Sequence, residues 1–102
     1  MPSIIKLFGY NIYFWSNEGK PIEPVHVHIS EIPTKNATKV WILSDGSPKL
    51  DNNNSNIKKK DLKRILDLIN IFSDDIIKKW EEYFGVKAAY IDEYEIGADL
   101  EL

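Results

Sequence analysis

Short apolar runs separated by turn residues fill the first half of the chain, whereas in the second half apolar residues recur every three or four positions, so a strand half precedes a helix half. Residues 4–7 and 10–15 are rich in β-branched and aromatic side chains, with Gly9 between them as a bend or bulge. Asn17-Glu18-Gly19-Lys20-Pro21 combines residues that tolerate positive φ or preset it, which is turn chemistry. Further strands are expected at 25–30 and 39–43, and Asp45-Gly46 turns the chain before a short segment at 48–50. The polar run from Asp51 to Asn56 has nothing to bury and reads as a loop ending in a helix cap.

Leu62, Ile65, Leu66, Ile69 and Phe72 lie on one stripe of a helix expected over about 58–72. Ser73 is placed as the N-cap of a second helix, with Asp74 and Asp75 in the first turn, where carboxylates are favoured. That helix carries Ile76, Ile77, Trp80 and Phe84 on its buried face and stops near Gly85. The expected fold is α+β: a three- to four-stranded antiparallel meander followed by two helices packed on one face. One domain spans 1–87, and 88–102 forms an acidic C-terminal tail with five acidic side chains and no basic one. With Tyr90, Ile91, Tyr94 and Ile96 among the acids, that tail reads as an added strand, a frayed end or a partner-binding segment.

Alternation along a strand turns Val25, Val27 and Ile29 one way and Pro24, His26, His28 and Ser30 the other. With the apolar set facing the core, the two imidazoles stand side by side on the opposite face, roughly 6 to 7 Å apart. Pairing with the preceding strand puts Tyr10, Ile12 and Phe14 on the core side and leaves Tyr13 and Trp15 beside the histidines.

Three readings compete for this patch. The histidines are ordinary amphipathic strand residues with their nitrogens hydrogen-bonded. Or they hold a divalent metal at His26 and His28, with Glu23, Glu31 or Asp45 adding an oxygen toward the three or four ligands that such a site needs. Or they act as base and acid on a phosphodiester. The histidine-triad hydrolase pattern is incomplete, because its third position is Ser30 and no glycine-rich loop accompanies it.

Lys58, Lys59, Lys60, Lys63 and Arg64 cluster where a helix macrodipole disfavours cations, which makes them either an anion site or a solvated basic face. A net charge of −3 gives no global pull toward nucleic acid. The absence of cysteine excludes disulfides, thiolate metal sites and a cysteine nucleophile. The opening residues offer neither a signal-peptide core nor a membrane span, so a cytoplasmic protein without membrane contact is expected.

The motifs together resemble a known family. Met1-Pro2-Ser3-Ile4, Gly9-Tyr10-Asn11-Ile12-Tyr13-Phe14, Ser16-Asn17-Glu18, Pro24-Val25-His26-Val27-His28-Ile29, Lys39-Val40-Trp41, Asp61-Leu62-Lys63-Arg64-Ile65 and Trp80-Glu81-Glu82-Tyr83-Phe84 look like the small prokaryotic proteins grouped as domain of unknown function 4160, over about residues 1–85. The resemblance implies a compact α+β protein whose gene neighbours that of another small family in toxin–antitoxin-like loci. Many relatives carry an Asp-His pair where this chain has Asn17-Glu18, so a third histidine ligand is missing here. The leading expectation is a non-catalytic binding module that contacts a partner protein from a neighbouring gene through Tyr13, Trp15, His26 and His28 or through the acidic tail. The alternative is a histidine-dependent ribonuclease or metal-assisted phosphodiesterase, with Lys58 to Lys60 gripping phosphate. Self-association through an exposed strand edge is a further expectation.

Overall fold

The structure is a computed structural model that describes residues 3–15 and 23–93. The turn expected at 17–21 and the tail from Tyr94 onward, with Ile96, lie outside the described residues.

Five strands form one sheet in sequence order: β1 (Ser3–Leu7), β2 (Tyr10–Tyr13), β3 (His26–Ser30), β4 (Thr38–Ile42) and β5 (Pro48–Asn52). Every neighbouring pair is antiparallel, so the sheet is a meander. The α+β class holds, but among the described residues there are five strands where three to four were expected. The difference arises at Gly9, which does more than bend the chain. Phe8 and Gly9 have φ of 52° and 83°, and they join Leu7 to its cross-strand partner Tyr10. Positive φ at both central residues is the signature of the tight hairpin turn whose twist matches that of the flanking strands. One long apolar run therefore becomes two strands.

Two helices follow, α1 (Lys59–Ile71) and α2 (Ser73–Phe84). Ser73 is not the N-cap of α2. Phe72 closes α1 and opens α2, its carbonyl accepting the Ile76 N–H, and Ser73 is a buried residue of the first turn. Without a linker there is no room for a separate capping residue. Gly85 ends α2 as expected, with φ of 69° and its N–H bonded to the Glu81 carbonyl.

Both helices pack against one face of the sheet. Ile65, Ile69, Ile76 and Trp80 meet Ile12, Phe14, Val25, Val27, Ile29, Val40 and Ile42 in a single core, with Tyr10 at its margin. Each fully buried aliphatic side chain contributes roughly 1.5 to 3 kcal/mol of transfer free energy, and this is what fixes β3 with Val27 and Ile29 inward. Beyond α2 the chain returns to the sheet: Val25 N–H donates to the Ala89 carbonyl, and Ser44 donates to the Asp92 carboxylate through both N–H and Oγ. Residues 88–93 are thereby tied to the sheet. Among the described residues, no helix is long and apolar enough to cross a membrane.

Candidate functional site

The face of β3 away from the helices carries His26 and His28, and both are buried, at 4% and 5% exposure. Cross-strand register explains what closes them in. Tyr13 of β2 stands opposite His28, and Trp41 of β4 stands opposite His26. Directly opposed residues on one face of an antiparallel pair bring their side chains into contact. Tyr13 stacks on His28 with centroids 5.8 Å apart and planes at 27°. His28 meets His26 edge-on at 5.1 Å, and His26 meets Trp41 edge-on at 5.4 Å. Four rings thus run in one row across three strands.

Charged groups finish the end of the row at Trp41. Lys39, opposite His28 in register, places Nζ 4.2 Å from the Trp41 ring centroid and 3.1 Å from Glu23 Oε1. A cation over an indole face is attracted by the ring quadrupole, so Lys39 joins Trp41 to Glu23. Glu23 Oε2 also lies 3.8 Å from His26 Nε2. On its other side, His26 Nδ1 is 2.8 Å from the Pro24 carbonyl. A carbonyl oxygen only accepts, so Nδ1 carries a proton and Nε2 is the nitrogen turned toward Glu23. The Trp41 indole N–H donates to Asp51 at 3.2 Å.

The opposite end of the row is fastened by the Tyr13 hydroxyl, which donates to the Thr34 carbonyl at 2.7 Å and accepts from the Thr34 N–H at 2.9 Å. Ser30 Oγ, 3.1 Å from that hydroxyl, donates to the Ile32 carbonyl. These bonds hold the loop between β3 and β4 against the sheet.

Of the residues singled out from sequence, Tyr13, His26 and His28 come together as expected. Trp15 lies half-buried beyond the end of β2, where strand alternation no longer fixes its side, and the ring contacts of His26 go to Trp41 instead. Lys58, Lys59 and Lys60 are exposed at the start of α1, in the helix layer, so the sheet separates them from the imidazoles. Lys63 is exposed as well, and Arg64 lies over the Phe8 ring at 4.0 Å.

Glu23 is the one of the three suggested oxygen donors that reaches the histidines. Glu31 is exposed in the loop after β3. Asp45 accepts from the Ser47 N–H and Oγ, bonds that hold its carboxyl below the usual range. Among the described residues, no group of three His, Asp or Glu side chains comes together in a metal-holding arrangement.

Sequence reasoning missed Trp41 and Lys39 as site residues. The signal was present: Val40 and Ile42 face inward, so the residues alternating with them share the face of the histidines.

No curated protein and no solved structure matches the chain. A family model described as domain of unknown function (DUF4160) matches residues 9–81. That span takes in Tyr13, Glu23, the Pro24-His26-His28 element, Lys39, Trp41 and both helices but the last turn of α2, so the whole row of rings lies within it. The chain belongs to the DUF4160 family.

Proposed function

We propose that this chain is a small, non-catalytic binding module that holds a partner protein encoded by a neighbouring gene, as one component of a toxin–antitoxin-like pair in a prokaryotic cytoplasm. The supporting observation is Trp41. It is half-buried, it rests edge-on against His26, it carries Lys39 over its ring, and its indole N–H is bonded to Asp51. A tryptophan held this way loses little rotamer entropy on contact with a partner, and tryptophan is among the residues that dominate binding energy at protein interfaces. Lys39, Glu23, Lys49 and Asp51 give the anchor a charged rim. The histidines act here as the support on which the anchor rests.

Co-purification with the product of the adjacent gene tests this reading. The expected result is co-elution at micromolar concentration, with Trp41→Ala weakening the complex about tenfold or more. Absence of a complex at that concentration counts decisively against it.

A second reading, a histidine-dependent ribonuclease or metal-assisted phosphodiesterase, draws support from the carboxylate of Glu23 beside His26 Nε2. It ranks below the first because both imidazoles are closed in by rings and the lysines suited to a phosphate lie across the sheet. A double variant, His26→Ala with His28→Ala, that retained full RNA-cleaving activity would eliminate it.

A further inference from the structure

The two edges of the sheet are built differently. β5 begins with Pro48 and carries exposed Lys49 and Asp51, while both edge strands have a register shift against their neighbour. Proline and exposed charges are devices by which an edge strand resists pairing with another chain. β1, with the sequence Ser-Ile-Ile-Lys-Leu, has a single charge, Lys6. Among the described residues, no strand pairs with its outer edge.

Beside that edge lies an apolar groove of about 420 Å³, lined by Ile5 and Leu7 of β1 and by Phe72, Asp75, Ile76 and Lys79 along α2. Ile5 and Leu7 are two residues apart and so share the helix-side face, which places their side chains under any strand added to β1. Phe72 is 43% exposed at the groove, and the neighbouring Ile71 is 70% exposed. An added strand at β1 would cover this apolar surface.

The rim of the groove indicates the occupant. Asp75 and Lys79 stand one helical turn apart, and among the described residues they form no ion pair with each other or with a third group. One acid and one base on a single flank are self-complementary under a two-fold axis, which sets each Asp75 against the other copy's Lys79. An unrelated partner would have to match both charges separately.

We propose that two copies of this chain associate through their β1 edges, antiparallel about a two-fold axis, to give one continuous sheet. The two α2 helices then face each other across the axis, with Phe72, Ile5 and Leu7 of both copies filling the joined grooves. The interface lies at the β1 edge and on the helix side. The Trp41 platform, on the helix-free face, stays open in both copies, so self-association and partner binding are independent.

Sedimentation velocity and light scattering of the purified chain alone, over about 1 to 100 µM, test the proposal. The expected species has twice the 11.8 kDa chain mass. Leu7→Lys should give a monomer. Because Leu7 also packs on the core margin, the deciding variants are on the exposed surface of α2. Lys79→Glu should weaken the dimer about tenfold or more, and Asp75→Lys combined with Lys79→Glu should restore it. A monomer at the highest concentration overturns the proposal. So does a dimer indifferent to the charge series, or an edge occupied by a different co-purifying protein.

Discussion

Replacing Tyr13 by phenylalanine separates two roles that one buried residue combines: a ring that covers His28 and a hydroxyl that holds the β3–β4 loop. The ring is retained, so the 5.8 Å stack on His28 should persist. Three oxygen or nitrogen atoms lie within hydrogen-bond reach of the hydroxyl, but proton counting reduces what is lost. Its single proton goes to the Thr34 carbonyl at 2.7 Å, and the Ser30 proton goes to the Ile32 carbonyl at 2.6 Å. The 3.1 Å contact between the two hydroxyl oxygens is then left without a proton while those bonds stand. Two bonds, both to Thr34, are therefore at stake. At about 1 kcal/mol net for each, and with the exposed Thr34 able to turn to water, Tyr13→Phe should cost about 1 to 2 kcal/mol. For a domain of this size that corresponds to a fall in melting temperature of roughly 5 to 15 °C. Urea denaturation should show a lower midpoint at unchanged slope, and the Thr34 amide should lose exchange protection. A cost below about 0.5 kcal/mol, with Thr34 still protected, would refute the claim that this hydroxyl fastens the loop.

Gly46→Ala should cost about 1 to 3 kcal/mol in the same denaturation assay, because φ is 88° and an added Cβ would meet Ser73 Oγ at 2.6 Å. In a Ser73→Ala background the steric part of that cost should disappear while the backbone strain remains. Trp80→Ala removes a ring 2% exposed that packs 4.9 Å from Phe84, and a loss of about 3 to 5 kcal/mol should leave the protein partly unfolded by circular dichroism. Hydrogen bonds from Ser44 hold the Asp92 carboxyl below the usual carboxylate range. A depressed folded-state pKa adds stability above the unfolded value of about 4 and loses it as pH falls. Exchange protection of the Val25 amide, bonded to Ala89, should therefore drop in acid, and Ser44→Ala, which removes the Oγ bond and keeps the N–H bond, should reduce that pH dependence.

Much of this arrangement was legible because strand parity is a strong rule wherever one face is buried. Val25, Val27 and Ile29 had to face the core, and His26, His28 and Tyr13 were thereby committed to the other side. The helical stripe of Ile65 and Ile69 and the stop at Gly85 were legible for a similar reason, since each rests on a local periodicity or on one backbone conformation. Features set by neighbours in space were not. Phe72 belongs to the apolar stripe in sequence yet is exposed, because α1 ends one residue before it and the chain turns directly into α2. Ser73 has the composition of a cap, but it is needed against Gly46. Glu23 could be named as one of three nearby acids, and only the β3–β4 register, which brings Lys39 alongside, singles it out.

The Pro-x-His-x-His element acquires a physical meaning from this geometry. Proline has no backbone N–H to offer the ladder, and the Pro24 carbonyl, just before β3 begins, accepts from His26 Nδ1. That bond fixes the ring so that Nε2 faces Glu23 and its edge meets Trp41. His28 fills the gap between His26 and Tyr13 and completes a row that a smaller side chain would break. A phenylalanine at position 26 could match the packing but could not donate to the Pro24 carbonyl, and a buried acceptor left without a donor costs about 1 to 3 kcal/mol. Imidazole is an aromatic ring that can be buried on the polar face of a sheet while donating to a backbone carbonyl, as His26 Nδ1 does to Pro24. The geometry gives the motif a supporting place beneath Trp41, and this is why the proposed function rests on Trp41 and not on the histidines themselves.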